Sequence, residues 1–348
     1  MKLINLPNEL LQIITSHLPR ESVSRLCLTC TEGYQLFLPT LYRHIELGHR
    51  TQIKQLEQGL KRNSFLKETV KEHTHILTLK SRQGGNSPWL IISLFEQLPN
   101  IKQLLFRDFL SLPVKRVNQV LGTLPRLERL HFQYCDLISN PQEGDEDTKQ
   151  ILCNLVELNL MWTDFSADAI RQLVLITPNL NRVVLGANHN RKRLANDAAL
   201  GILTEYCRNI KDLSISLQQI KETSICQVIQ TYGSQLEKLS IRCEGNETIR
   251  TISQYTKKLQ QLVIRCNYSG YNNVMNILKE CQYLTHLEMV SWPLQDVPSI
   301  VLDQIKCRHT NSSSFIAAPT SLYIEGIKRT VALDRQDLLE IRRLCHYS

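Results

Sequence analysis

Cysteine and histidine pairs are the residues of this chain whose spacing could support metal or redox chemistry. Cys27 and Cys30 form a CxxC, and one residue separates His73 from His75. A zinc site needs a second ligand pair at a workable distance along the chain, and none follows Cys30. A redox CxxC opens a helix directly after a strand, whereas this pair falls on an apolar helical pattern. We therefore expect Cys27 and Cys30 to pack in a core, with no metal bound.

Catalytic motifs give no positive signal either. Gly84 and Gly85 lack the following Lys-Ser/Thr of a phosphate-binding loop, and Cys345-His346 is an isolated pair. The sequence contains no nucleophile elbow and no HExxH motif. We therefore expect a protein that is not an enzyme and that needs no cofactor.

The charge distribution favours binding. The formal net charge is +8, but four basic and four acidic residues balance within residues 1–47. The excess therefore lies in the remainder of the chain. It favours an acidic or phosphorylated partner or, less specifically, nucleic acid.

Composition narrows the compartment. No apolar run approaches the roughly 20 residues of a membrane helix. At the N-terminus polar residues interrupt the apolar ones, a pattern that does not resemble a signal peptide. Eleven cysteines are scattered without the spacing of a disulfide framework, which indicates reduced thiols. We expect a protein of the cytoplasm, the nucleus or both, without a membrane partner.

Nine short segments of the form L/I/T-x-x-L/V-x-L/I/F/M are the elements that must position any binding residue. Their first positions lie 23 to 30 residues apart, about 26 on average. These positions are Thr74, Ile101, Leu127, Leu155, Leu180, Ile210, Leu236, Leu259 and Leu284. Each segment predicts a strand, and most are followed by a helical pattern. Units of this kind bury their apolar edges only by stacking on one another.

This pattern resembles the leucine-rich-repeat family, in its cysteine-containing variety. The resemblance implies an α/β fold, a curved solenoid with a parallel sheet inside and helices outside. We expect about nine or ten repeats over residues 73–334 and a capping helix over residues 335–348. An acidic stretch at residues 143–147 predicts a solvated loop, with a partner contact as the alternative.

The N-terminal 47 residues predict three short helices. Leu10, Leu11, Ile14 and Leu18 recur on one helical face, and Pro19 ends that helix. A second helix is indicated by the spacing of Val23, Leu26, Cys27 and Cys30, and a third by Tyr34, Leu38, Leu41 and Tyr42. Residues 48–72 predict an amphipathic helical connector to the repeats.

The order of residues in this N-terminal unit resembles the F-box. The resemblance covers about forty residues: Leu6-Pro7-x-Glu9-Leu10-Leu11-x-x-Ile14-x-x-x-Leu18-Pro19, then Ser22-Val23-x-x-Leu26-x-Leu28-x-Cys30, then Leu38-x-x-Leu41-Tyr42-x-x-Ile45. Tyr34 stands where the family usually has tryptophan. The resemblance implies an F-box domain over residues 1–47 that docks a Skp-type adaptor and, through it, a cullin. The adaptor-binding residues implied are Leu6, Pro7, Glu9, Leu10, Ile14, Leu18 and Cys30. The alternative is a helical cap on the first repeat.

Strand alternation predicts which repeat residues point away from the core. The third, fifth and seventh positions of each segment should face solvent on the inner side of the sheet. The substrate-binding candidates on or beside this face are Arg129, Tyr134, Met161, Trp162, Arg182, Lys238, Arg242 and Arg265. Arginine suits carboxylate or phosphate, and aromatic rings make effective anchors. The alternative is an ordinary solvated sheet face.

An F-box followed by leucine-rich repeats resembles the substrate receptors of Skp–cullin–F-box ubiquitin ligases. Such a receptor holds a target protein for ubiquitination and proteasomal degradation without itself being catalytic. Three alternatives stay open: a ligase-independent scaffold, a basic solenoid that binds nucleic acid, and a small-molecule sensor. The sequence does not identify the target.

Overall fold

The computed structural model describes residues 6–81, 92–139, 151–186, 195–217, 219–243, 245–266, 271–293, 299–301, 324–325 and 328–346. Contacts between residues divide the chain into two compact units, Met1–Asp164 and Phe165–Ser348. The acidic residues 143–147 and the polar residues 311–314 lie outside the described residues.

The first unit begins with three short helices, as the apolar spacing predicts. They are α1 (Asn8–Ser16), α2 (Arg20–Cys27) and α3 (Thr31–Tyr42). Pro7 and Pro19 precede α1 and α2, where their missing N–H groups cost nothing. A small core of Leu11, Val23, Cys27 and Phe37 holds the three helices together.

The predicted connector consists of two helices, α4 (Arg50–Arg62) and α5 (Ser64–His73). Asn63 separates them, and its side-chain oxygen accepts a hydrogen bond of 3.0 Å from the backbone N–H of Leu66. This is the N-cap that starts α5. Helix α3 packs against α5, and the Tyr34 and Phe65 ring centroids lie 6.0 Å apart. The small N-terminal core is therefore extended by the connector.

A parallel sheet forms the rest of the first unit. Its strands, in spatial order, are β1 (His44–Leu47), β2 (Ile76–Lys80), β3 (Gln103–Arg107), β5 (Arg129–Gln133) and β7 (Glu157–Met161). The predicted third positions are register partners throughout, from Ile76 through Gln103 and Arg129 to Glu157. Strand β1 was not predicted, although it pairs with β2. Shorter elements complete the unit: α6 (Ile92–Phe95), β4 (Leu112–Pro113), α7 (Val114–Leu121), β6 (Asp136–Ile138) and β8 (Asp164–Phe165), the last at the division between the units.

The second unit repeats the strand and helix alternation. Its parallel strands are β9 (Arg182–Leu185), β10 (Asp212–Ile215), β11 (Lys238–Cys243), β12 (Gln261–Cys266) and β13 (His286–Pro293). The helices are α8 (Ala167–Val174), α9 (Ala195–Tyr206), α10 (Glu222–Tyr232), α11 (Asn246–Tyr255) and α12 (Tyr271–Glu280). The sequence pattern predicts helices over residues 88–98, 113–124, 167–176, 197–206, 222–232 and 272–281. The last five agree with the observed helices to within about three residues, and α11 was not predicted. Of the first, Ile92–Phe95 is helical and residues 88–91 lie outside the described residues.

The last part of the second unit departs from the repeat. Strand β15 (Lys328–Leu333) pairs antiparallel with β13, and β14 (Ile324–Glu325) pairs antiparallel with β15. The predicted C-terminal helix is present as α13 (Arg335–His346). Arg342 donates hydrogen bonds from α13 to the carbonyl oxygens of Leu278, Cys281 and Leu284, at 3.2, 2.7 and 3.4 Å. The guanidinium therefore caps the end of α12.

The fold is mixed α/β with a largely parallel sheet, which is consistent with a leucine-rich-repeat arrangement. In both units the core is formed by the apolar positions that the period identifies, such as Leu104, Leu130, Leu213 and Leu262. Each is essentially inaccessible to solvent. Their burial supplies most of the driving force for stacking the repeats.

Candidate functional site

Helix α1 carries an exposed apolar face that consists of Leu10, Ile13 and Ile14. These side chains are 47%, 57% and 38% exposed. Leu11, on the same helix, is instead buried in the three-helix core. Because positions i, i+3 and i+4 are neighbours on a helix surface, the three side chains form one patch. We refer to it as the α1 apolar face.

The seven residues implied to bind an adaptor divide by burial. Pro7, Glu9, Leu10, Ile14 and Cys30 are exposed. Leu6 and Leu18 are half-buried and pack against the three-helix core. Ile13 was not among the predicted residues, although its spacing of three from Leu10 is the pattern that could have identified it.

The prediction that Cys27 and Cys30 share one apolar helical face is wrong for Cys30. Helix α2 ends at Cys27, and Thr29 turns the chain by donating its hydroxyl to the carbonyl of Leu26 at 2.8 Å. Cys30 is exposed, and its sulfur accepts a hydrogen bond of 3.2 Å from the N–H of Gly33 at the start of α3. Cys27 is buried as expected, and burial raises the pKa of its thiol.

Ion pairs and hydrogen bonds link the solvent face of the sheet in the first unit. The carboxylate of Glu157 lies 2.9 Å from Nε2 of His131 and 3.9 Å from Nε of Arg129. Arg107 donates two hydrogen bonds to the side-chain oxygen of Gln133, at 2.8 and 2.5 Å. Arg129 and Glu157, like Arg107 and Gln133, are register partners on adjacent strands. Arg129 and Arg107 are therefore already engaged within the sheet.

The predicted alternation holds for most strands of the two units, with exceptions in each. Thr78 and Val184 occupy fifth positions but are buried, and Gly186 at a seventh position is buried as well. Thr78 lies beneath the neighbouring strand's His44, whose Nε2 is 2.9 Å from the threonine hydroxyl. The strand β1 that carries His44 was not predicted, which explains why Thr78 was expected to face solvent.

Tyr134 and Trp162 form a parallel stack at the ends of two adjacent strands. Their ring centroids are 5.1 Å apart and the ring planes differ by 7°. The side chains are 43% and 39% exposed. The φ angles are +55° and +50°, in the left-handed region that costs a residue with a side chain roughly 1–2 kcal/mol. The half-buried Met161 precedes Trp162. The predicted aromatic cluster is therefore present, in a backbone conformation that the sequence did not indicate.

The second unit holds the remaining predicted cations. Nε of Arg182 lies 3.4 Å from a carboxylate oxygen of Asp212 on the next strand. Arg242 and Arg265 are register partners on β11 and β12, one half-buried and the other exposed. Lys238, exposed, lies four residues before Arg242 on the same strand. Two guanidinium groups that share a register position can both reach one anion bound on the sheet.

The eight predicted substrate-binding residues are thus shared between the units. Arg129, Tyr134, Met161 and Trp162 belong to the first, and Arg182, Lys238, Arg242 and Arg265 to the second. Within the part of the chain that the structure describes, no cluster of three or more His, Cys, Asp or Glu side chains could hold a metal ion. Across the same residues, no helix has both the length and the apolar composition that crossing a membrane requires.

Comparisons with known proteins show a similarity in structure to a leucine-rich-repeat protein. No family model matches the chain, and no curated protein matches it significantly. The leucine-rich-repeat-containing protein LegL7 from Legionella pneumophila is similar in structure, with 15% sequence identity and a TM-score of 0.35. The match covers 71% of this chain and 90% of LegL7.

Proposed function

We propose that the chain is the substrate-recognition subunit of a Skp–cullin–F-box ubiquitin ligase, itself without catalytic activity. The observation that carries the proposal is the α1 apolar face on a three-helix unit whose residues resemble an F-box. Three aliphatic side chains exposed together on a nine-residue helix are unfavourable in water unless a partner covers them. An adaptor that presents apolar helices would remove this surface from water.

The packing of the N-terminal unit supports a docking role over that of a mere cap. Leu11, Val23, Cys27 and Phe37 fill the interior, so that Leu10, Ile13 and Ile14 are not needed to hold the three helices together. The contact between Tyr34 and Phe65 braces α3 against α5. The three N-terminal helices are therefore stabilised without the α1 apolar face, which remains available to a partner.

In this proposal the repeats hold the target protein. Arg242 and Arg265 on adjacent strands suit an acidic or phosphorylated segment of the target, because a planar guanidinium binds carboxylate and phosphate through paired hydrogen bonds. The contribution of the chain to catalysis would be proximity, since it brings the target close to an enzyme that other subunits recruit.

Co-purification with a Skp-type adaptor tests the proposal. We expect the full-length chain to bind the adaptor, and we expect Leu10→Glu with Ile14→Glu to reduce the affinity at least roughly 100-fold, because two charges would be buried in the interface. Leu339→Glu is the matched control, since Leu339 is a 54% exposed leucine on α13. It should leave adaptor binding unchanged. Circular dichroism of each variant verifies that the helices are intact.

The same experiment separates the alternatives. Wild-type protein that fails to bind the adaptor would exclude both the ligase subunit and the ligase-independent scaffold. Adaptor binding without ubiquitination of any captured target in a reconstituted ligase would favour the scaffold. Salt-sensitive binding of nucleic acid, without adaptor binding, would favour the basic solenoid.

Charge reversal on the second unit tests the role of its cations. Arg242→Glu with Arg265→Glu should abolish capture of an acidic or phosphorylated target while adaptor binding persists. Lys257→Glu with Lys258→Glu is the control, because both lysines are exposed and lie outside the strands. If target capture survived the arginine changes, the register pair would have no part in recognition.

A further inference from the structure

Three successive strands of the first unit are followed by residues with the same unusual backbone. Asp108, Tyr134 and Trp162 have φ angles of +63°, +55° and +50°. They come directly after Arg107, Gln133 and Met161, which are register partners on β3, β5 and β7. The three residues are therefore equivalent, and neighbouring strands are about 4.8 Å apart. We call Asp108, Tyr134 and Trp162 the strand-end row.

The sheet holds the row in place. The N–H of Asp108 donates a hydrogen bond of 3.0 Å to the carbonyl of Gln133 on the next strand. Positive φ is uncommon for bulky residues, and such conformations cluster at sites that bind ligands. The same conformation at three equivalent positions directs one carboxylate and two aromatic rings to the same edge of the sheet.

The order of the row determines which ring surface is open. Tyr134 stacks on Trp162 through one face, at a centroid distance of 5.1 Å. Asp108 lies on the opposite side of Tyr134, because β3 and β7 flank β5. The second face of Tyr134 therefore lies on the side of β3, where Asp108 is exposed.

The polar side-chain groups of the strand-end row make no hydrogen bond or ion pair with the described residues. There, the Asp108 carboxylate, the Tyr134 hydroxyl and the Trp162 indole N–H have no hydrogen-bond or ion-pair partner. The nearby Arg107 guanidinium donates to the Gln133 side chain instead. A carboxylate beside a π face attracts a cation, because the face of an aromatic ring is electron-rich. The same carboxylate would repel an acidic group.

We propose that the strand-end row binds an arginine side chain of the target protein, an inference that rests on the proposed function of the repeats as the target-holding part. The guanidinium would stack on the open face of Tyr134 and donate hydrogen bonds to the Asp108 carboxylate. Arginine fits better than lysine, because its planar group both stacks on a ring and presents forked donors to a carboxylate. The target would then carry an arginine for the first unit in addition to an anionic segment for the second.

Peptide binding to the full-length chain tests the inference. The probes are three glycine-serine peptides that differ at one central position, which is arginine, lysine or the neutral arginine analogue citrulline. Saturation-transfer NMR measures their affinities. We expect the arginine peptide to bind with a dissociation constant of about 1 mM, and the citrulline peptide at least about 5-fold more weakly. The lysine peptide should lie between them.

Variants connect the binding to the row. Asp108→Asn should weaken arginine-peptide binding about 5-fold and remove the preference over citrulline. Tyr134→Leu should weaken it by a similar factor, because the stacking surface is lost. Glu68→Gln is the matched control, since it removes one negative charge from an exposed position on α5 of the same unit. This control should leave all three affinities unchanged.

Three results would overturn the inference: no binding of the arginine peptide up to about 10 mM, equal binding of arginine and citrulline, or an equal loss in Asp108→Asn and Glu68→Gln. Adaptor binding is measured separately and depends on the α1 apolar face. If the peptides fail while the adaptor still binds, the inference fails and the proposed function stands. If the adaptor fails while the arginine peptide binds with the expected selectivity, the row remains an arginine site and the ligase role is excluded.

Discussion

The described cysteines differ in exposure, and this difference should control their reactivity. Cys135 and Cys207 are buried, and desolvation raises the pKa of their thiols to about 11 and to about 12. Cys30 is exposed near the start of α3. Because the thiolate is the reactive form, we expect iodoacetamide at pH 8 to modify Cys30 at least roughly 100-fold faster than Cys135 or Cys207. Pulsed alkylation with peptide mass spectrometry measures the rates. Equal rates would show that the core opens on the timescale of labelling.

The raised pKa of Cys207 also predicts how stability changes at alkaline pH. The folded thiol holds its proton to about pH 12, whereas an unfolded thiol releases it near 9.0. The stabilising contribution is therefore complete below pH 9 and is lost as the pH rises from 9 toward 12. Cys207→Ala should accordingly be less stable than the wild type at pH 8, and the difference should shrink at pH 10.5. Urea unfolding at the two pH values measures it. A difference that stays constant would contradict the assigned direction.

Helix α11 of the second unit receives an N-terminal cap from the preceding repeat. Glu222, at the start of α10, accepts hydrogen bonds from the backbone N–H of Thr248 at 2.9 Å and from its hydroxyl at 3.2 Å. A Cβ added at Gly245 would collide with the carboxylate of Glu222. Gly245 therefore leaves room for a carboxylate that caps the first turn of α11.

A mutant cycle tests this cap. We expect Glu222→Ala to lower the free energy of unfolding by about 1–2 kcal/mol, because the N-terminal N–H groups lose a charged acceptor. Gly245→Ala should cost a similar amount by displacing the carboxylate. In the Glu222→Ala background, Gly245→Ala should then cost little. Glu247→Ala, at an exposed side chain in the first turn of the same helix, is the control and should cost less. Strict additivity of the two changes, measured by urea unfolding, would show that Gly245 and Glu222 act independently.

Local pattern predicted most elements of this chain, and the exceptions have physical causes. Helix α11 contains Thr248, Ile249, Thr251 and Ile252, whose β-branched side chains weaken helix propensity. Packing of these buried residues and the Glu222 cap keep the segment helical. Strand β1 pairs in parallel with β2 and alternates between exposed and buried residues, so its alternation could have identified it. Strand β15 was missed because it pairs antiparallel with β13, outside the repeat. Such pairing depends on the whole fold and leaves no period in the local sequence.

The candidate sites, too, were predictable where local spacing determines them and not where the backbone conformation departs from local preference. Even spacing identified Arg242 and Arg265 as register partners, because in a regular stack residues one repeat apart in the sequence come to lie side by side on adjacent strands. Spacing also brought Tyr134 and Trp162 into one cluster. Their left-handed backbone was not predicted, since local preferences disfavour positive φ for aromatic residues. The relation of Asp108 to these rings therefore became visible only once the strands were in register.

At the scale of the whole molecule, stability should be distributed along the chain rather than shared uniformly. Each strand pairs mainly with its sequence neighbours, as in β3–β5–β7 of the first unit and β11–β12–β13 of the second. In repeat architectures, stability is approximately the sum of each repeat and its nearest-neighbour contacts. A cavity in one repeat should therefore lower the stability of that repeat and of the adjacent repeats most.

Two equivalent cavities test this distribution. Leu130 on β5 and Leu262 on β12 are both fully buried, and replacing either with alanine should cost about 2–5 kcal/mol. By amide hydrogen exchange, we expect Leu130→Ala to accelerate exchange in β3, β5 and β7 but not in β12. Leu262→Ala should accelerate exchange in β11, β12 and β13 but not in β5. Each variant is the control for the other, since the change in side-chain volume is identical. Uniform acceleration in both variants would show instead that the two units unfold as one cooperative body, because only global opening exposes distant amides equally.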